Sequence, residues 1–156
     1  MTWYQTLALK DLNGNAIAEE VLADKAVIFV NVASFCGYTK QYGGLVELQK
    51  EADAAGFTVI GVPCNQFGAQ EPGTSDQIAA FCETTFGVNF PLLEKQDVNG
   101  PARSALYKHL VGDGADVKWN FEKFVVAADG RVITRFGSGT RPEDPAIRQA
   151  LAKALG

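Results

Sequence analysis

Two short apolar runs, AVIFVNVA at 26–33 and FTVIGVP at 57–63, constrain this chain more than anything else in it. Neither alternates apolar with polar residues, so each predicts a strand buried on both faces of a sheet. Between them, Leu45, Leu48 and Ala52 recur at helical spacing over 40–54, and Gly56 supplies a stop. Strand, helix and strand in that order form a βαβ unit, with parallel strands and a right-handed crossover.

The flanking segments complete the architecture. LALKDLNGNAIA reads as a hairpin turning at Asn13-Gly14, a pair that tolerates positive φ. Ser75 reads as the cap of an amphipathic helix running through IAAFCETTF, and a further helix is expected from Pro101 to Leu110. FVVAADGRVITRF, 124–136, predicts two strands joined through Asp129-Gly130, and a last helix runs from Pro142 or Pro145 to Leu155. No linker, internal repeat or low-complexity segment interrupts the 156 residues, so a single domain spanning 1–156 is expected. The order predicts an α/β fold: a mixed central β-sheet with helices on both faces and an N-terminal β-hairpin.

Several classes of function are disfavoured. A net charge of −4 without a basic run argues against a nucleic-acid partner. No apolar stretch is long enough to span a bilayer, and the first residues lack the pattern of a signal peptide, so a cytoplasmic location is expected. Three cysteines, Cys36, Cys64 and Cys82, accompany one histidine, His109, without a close ligand pair of the kind a zinc site uses. Neither a metal nor a bound cofactor is expected. His109 lies on a helix and reads as a surface or boundary residue.

The remaining chemistry centres on Cys36, which stands where the first buried strand gives way to a helix. The carboxyl ends of strands are where α/β folds gather their active groups. Unpaired N–H groups at the start of a helix, together with its dipole, favour the thiolate. Gly37 is expected to remove bulk beside the sulfur. CNQFGAQEPG, 64–73, follows the next strand and supplies Gln70; KWNFEKF, 118–124, supplies Trp119 and Asn120. Such neutral donors stabilise a thiolate and polarise a peroxide oxygen as the O–O bond breaks.

NVASFCGYT, IGVPCNQFGAQEPG and WNFEKF resemble, in order and spacing, the three signature blocks of the glutathione peroxidase family. The resemblance implies a thioredoxin-like fold. It also implies a thiol peroxidase that reduces hydrogen peroxide and organic or lipid hydroperoxides through a Cys36 sulfenic acid. Cys36 matches the peroxidatic position, where some members carry selenocysteine. Gln70, Trp119 and Asn120 match the other catalytic positions. Cys82, in IAAFCETTFG, matches the resolving position of the thioredoxin-dependent branch, so a Cys36–Cys82 disulfide recycled by thioredoxin is implied, with the 75–86 helix loosening on oxidation. Cys64 reads as a small buried residue. The short stretch from Leu93 to Lys118 leaves no room for the subunit-contact loop of tetrameric members, which implies a monomer. Two readings compete on the reductant and the role: reduction of Cys36 directly by glutathione, and a peroxide sensor that passes its oxidation to a partner protein.

Overall fold

The computed structural model describes residues 2–156. Its sheet has four strands: β1 (Ala26–Val32), β2 (Phe57–Pro63), β3 (Lys123–Val126) and β4 (Val132–Phe136), in the order β2-β1-β3-β4. β1 runs parallel to β2, with Ala26 opposite Phe57 and Val32 opposite Pro63, and antiparallel to β3. β3 and β4 form the expected antiparallel pair, so the sheet is mixed. Every residue of β1, β2 and β3 is buried, whereas β4 is partly exposed. For β1 and β2 that is the burial their non-alternating, largely apolar runs predict.

Because side chains alternate across a strand, each strand feeds two cores. Ile28, Val30, Val59 and Val125 pack on one face with Tyr42 and Leu45 of α1 (Gln41–Lys50), Ile78 of α3 (Ser75–Phe81) and Ile147 and Leu151 of α5 (Pro145–Leu155). Val27, Phe29, Ile60 and Phe124 pack on the other with Leu106 and Tyr107 of α4 (Ala105–Val111) and with the N-terminal segment. A four-residue helix, α2 (Ala52–Ala55), ends at Gly56, which takes a left-handed conformation. The outer edge of β2 is covered: Gly61 donates to Pro91 O (3.0 Å) and accepts from Leu93 N–H (2.9 Å). A side chain at 61 would collide with Leu92, 2.6 Å from where a Cβ would stand, so only glycine lets the segment close. Among the described residues no helix is long and apolar enough to cross a membrane.

Three boundaries differ from the sequence reading. The N-terminal hairpin is reduced to one antiparallel bridge, Lys10 to Ala16. The Asp11 carboxylate takes the N–H groups of Asn13 (2.9 Å) and Asn15 (3.0 Å), and this local bonding replaces a strand ladder. The α3 cap is Thr74, not Ser75; Thr74 and Gln77 bond reciprocally in a capping box. α4 starts at Ala105 because the Ser104 hydroxyl accepts the Tyr107 N–H and opens the helix there, after the turn at Pro101. His109 stacks on Trp3 at the surface (centroids 5.1 Å apart).

Candidate active site

Cys36 follows the carboxyl end of β1, half-buried, in a run of tight turns rather than directly before a helix; α1 begins five residues later. Thr39 builds this loop. Its hydroxyl accepts the Cys36 N–H (2.9 Å) and donates to Ala33 O (2.7 Å), and its own N–H reaches Cys36 O (3.0 Å). The fold so formed aims the Tyr38 N–H at Cys36 Sγ, 3.3 Å away. An unpaired amide therefore faces the sulfur, as expected, but it belongs to a turn. The expectation for Gly37 changes: its φ is ordinary and a Cβ there would meet open space, so packing does not demand glycine.

The other two blocks meet beside this loop. Asn120 Nδ2 donates to Gln70 Oε1 (2.9 Å), which orients the Gln70 amide so that its N–H groups are left to donate elsewhere. The Trp119 ring lies against Gly68, where an added Cβ would stand 3.2 Å from the indole and 3.4 Å from the Gln70 amide. Phe67 flanks the indole (centroids 5.7 Å apart). Trp119 keeps 36% of its surface exposed, so it is a wall of an open site and not a core residue. The Phe35 N–H donates to Gln70 O (3.1 Å), which ties the Gln70 loop to the residue beside Cys36. Asn31, on β1, holds the third block: its amide bonds Trp119 O (3.0 Å) and the Glu122 N–H (3.1 Å). Ala69 and Phe121 both have left-handed φ, 51° and 64°, directly beside Gln70 and Asn120. Each costs roughly 1–3 kcal/mol for a residue with a Cβ, strain of the kind that gathers at functional sites.

Beside the loop runs an apolar groove of about 380 Å³, lined by Phe35, Pro72, Ile78 and Phe81, with Ser34 and Glu71 supplying its polar atoms. Phe35 is 66% exposed and packs toward Phe81 (centroids 6.3 Å apart). Glu71 is fully buried; Oε1 accepts from the Ser34 N–H (3.1 Å) and hydroxyl (2.5 Å), while Oε2 has no partner among the described residues. Burial pushes the Glu71 carboxyl above its usual range, against the bonds from Ser34 and the charge of Lys95.

The two other cysteines lie on opposite faces of the sheet. Cys82 ends α3 and opens a π-helical turn, Cys82–Phe86, in the same core that Cys36 packs against. It is 1% exposed; burial pushes its thiol up, and the neighbouring Tyr42 hydroxyl partly offsets this. Cys64 is in the opposite core, also with a thiol pushed up by burial. All three are free thiols.

Lys123, in the third block, is fully buried, with Nζ donating to Gln41 Oε1 (2.5 Å) and Ser138 O (3.1 Å). Burial lowers its pKa to about 8, although the carboxylates of Glu143 and Glu122 oppose this. Between about 8 and the unfolded value of 10.5 the unfolded chain binds a proton that the native chain does not, so stability rises with pH across that window. The expected rise is roughly 3 kcal/mol at 1.36 kcal/mol per pKa unit. Urea unfolding of the wild type against Lys123→Met at several pH values, with reductant present, reads it as a difference that grows with pH; a constant difference contradicts it.

Sequence reasoning selects Cys36, Gln70, Trp119 and Asn120; the fold bonds Asn120 to Gln70, sets the Trp119 ring beside Gly68, and bonds Gln70 to the residue before Cys36. It passed over Asn31, Ser34, Thr39 and Glu71. All four lie within the same blocks, as polar residues at the end of an apolar strand, three residues after Cys36, or next to Gln70. That position was the available signal.

Residues 4–111 match the family model described as glutathione peroxidase. The chain is 56% identical to a hydroperoxy fatty acid reductase, Gpx2, of Synechocystis sp., over 96% of this chain and 97% of the relative. It is 39% identical to a thioredoxin/glutathione peroxidase, BtuE, of Escherichia coli, over 96% of both. The crystal structure of T. cruzi GPX1 superposes with a TM-score of 0.72 at 32% identity, covering 95% of this chain and 93% of that one.

Proposed function

Because the chain belongs to the glutathione peroxidase family and is a thiol peroxidase, we propose that Cys36 is its attacking thiol, that Cys82 resolves the oxidised product, and that thioredoxin restores both. The Cys36 thiolate attacks the distal oxygen of ROOH. The S–O bond forms, the O–O bond breaks, and RO⁻ leaves and takes a proton to become ROH. Gln70, oriented by Asn120, and the Trp119 indole N–H donate to the oxygen on which charge develops. Cys82 then displaces hydroxide from the sulfenic acid; the disulfide forms and water leaves. Two thiols of thioredoxin reduce it by exchange.

The observation that carries this reading is the bond from Asn120 to Gln70, on a loop bonded to the residue beside Cys36. Two residues fifty positions apart would not otherwise share an orientation that leaves donors free. The apolar groove beside Cys36 favours hydroperoxides with a hydrocarbon body over hydrogen peroxide, in keeping with the substrate named for the Synechocystis relative. Cys82 supports thioredoxin as reductant, because an internal resolving thiol makes direct attack by glutathione on Cys36 unnecessary.

The test is NADPH consumption with a fatty-acid hydroperoxide, driven either by thioredoxin and its reductase or by glutathione and its reductase. Turnover at least about ten-fold faster with thioredoxin is expected. Equal or faster turnover with glutathione would overturn the assignment of the reductant.

A further inference from the structure

Resolution poses a proton problem. Cys82 is buried, its thiol is pushed up by burial, and a thiol attacks a sulfenic acid effectively only as thiolate. The single histidine is on the far face, stacked on Trp3, and cannot serve. Glu71 is the acidic group that sits where the two cysteine-bearing elements meet. Its Oε1 grips Ser34, two residues before Cys36, and it lines the groove together with Ile78 and Phe81 of the helix that ends at Cys82. Its Oε2 is buried and unpartnered. A carboxylate kept out of water with one oxygen unused is costly unless that oxygen has a task.

We propose that Glu71 is the base that takes the Cys82 thiol proton when that sulfur attacks the Cys36 sulfenic acid, a step that rests on the roles assigned above to the two cysteines. The proton passes from Cys82 Sγ to Glu71. The S–S bond forms as the S–O bond breaks, and the departing hydroxide takes the proton back as water. The carboxylate is regenerated and no external acid or base is consumed. The groups facing Glu71 suit this role. Ser34 and Lys95, whose Nζ also bonds Glu71 O (2.9 Å), hold the carboxyl down, while burial lifts it. The Cys82 and Tyr42 hydrogens become harder to remove beside its charge, so they remain in place until the helix shifts, and the same charge acts more weakly on Cys64 across the sheet. Raising a carboxyl above its usual range makes its carboxylate a stronger base.

The wild type, Glu71→Gln, Glu71→Asp and Ser34→Ala are each mixed with one equivalent of an organic hydroperoxide, quenched into an alkylating reagent, and followed by mass spectrometry from acid to alkaline pH. Glutamine keeps the acceptor for Ser34 but takes no proton. Cys36 still oxidises in Glu71→Gln and its rate is read separately, while disulfide formation from the sulfenic acid near neutrality slows about 100-fold, and the deficit shrinks as pH rises toward ionisation of Cys82 itself. Glu71→Asp restores most of the rate, and Ser34→Ala, which removes one of the bonds that hold the carboxyl down, keeps a base-dependent profile displaced to higher pH. Disulfide formation in Glu71→Gln at the wild-type rate would overturn the proposal. So would a slowing that is equal at every pH, or a loss in Ser34→Ala matching that of Glu71→Gln, since either makes Glu71 an anchor only. A wild type that leaves Cys36 unoxidised, or that pairs Cys36 with Cys64, would instead overturn the cysteine assignments, and it would do so before any Glu71 variant is compared.

Discussion

Cys36→Ser is expected to lose hydroperoxide reduction by on the order of a thousand-fold or more, with either reductant, because nothing else in the site replaces the nucleophile. Serine offers an oxygen of nearly the same size, but its hydroxyl is not ionised near neutrality and no base stands beside it. The amide aimed at this position, from Tyr38, can donate to a sulfur anion; it does not remove a proton from an alcohol. The loop itself should survive. Thr39 holds it through the Cys36 backbone and Ala33 O, and neither bond involves the sulfur. The variant should therefore unfold within about 0.5 kcal/mol of the wild type, since a half-buried sulfur is exchanged for an oxygen of nearly the same size. Stopped-flow mixing with a hydroperoxide, alongside urea unfolding, reads both quantities. Residual activity within ten-fold of the wild type would move the nucleophile to another thiol.

Cys82→Ser separates the first chemical step from the cycle. Cys36 should still consume one equivalent of hydroperoxide at the wild-type rate, and then stop. Sustained turnover with thioredoxin should fall by on the order of a hundred-fold or more, because no second thiol converts the sulfenic acid to a disulfide that thioredoxin can exchange with. The new hydroxyl is buried, but it lies beside the Tyr42 hydroxyl, which has no well-formed hydrogen bond of its own, so the stability cost should stay near 1 kcal/mol. The same argument implies movement. A disulfide requires Cα atoms about 4.4–6.8 Å apart. Cys82 is enclosed in the core while Cys36 stands in a half-exposed loop, so one of the two elements has to give way. The π-helical turn Cys82–Phe86 is the weaker one, since five-residue hydrogen bonding is rare and its Thr84-Thr85 pair favours extended backbone. Hydrogen exchange over 75–86 should lose protection on oxidation of the wild type and keep it in Cys82→Ser. Undiminished turnover in the variant would remove Cys82 from the mechanism.

The parts of this molecule that the sequence made legible are those set by one strong local pattern. β1 and β2 announce themselves because a strand buried on both faces has no reason to alternate. Asp129-Gly130 marks the return between β3 and β4 because few dipeptides turn so tightly. The boundaries that shifted are those where two neighbouring residues carry equivalent signals. Thr74 and Ser75 both cap well, and only the reciprocal bond with Gln77 decides between them. Pro101 and Ser104 both open helices, and the Ser104 hydroxyl prevails. In the site, residue types and order nominate Gln70, Trp119 and Asn120 once the three blocks are matched to the family. Asn31 and Glu71 could not be recognised the same way. Asn31 matters through partners 88 and 91 positions away, and Glu71 through Ser34, 37 positions away, and no periodicity encodes such distances.

The position of Cys64 has a consequence for how this chain is wired. Three thiols permit three pairings, and a flexible polymer carrying them would scramble among all of them under oxidant. Here the sheet is a partition. Cys36 and Cys82 border one compartment and Cys64 is sealed in the other, behind strands whose residues are all buried. The topology sets Cys64 apart from the pairing proposed above. A protein that meets oxidants repeatedly can in this way hold a third cysteine behind the sheet, away from the two thiols proposed to cycle.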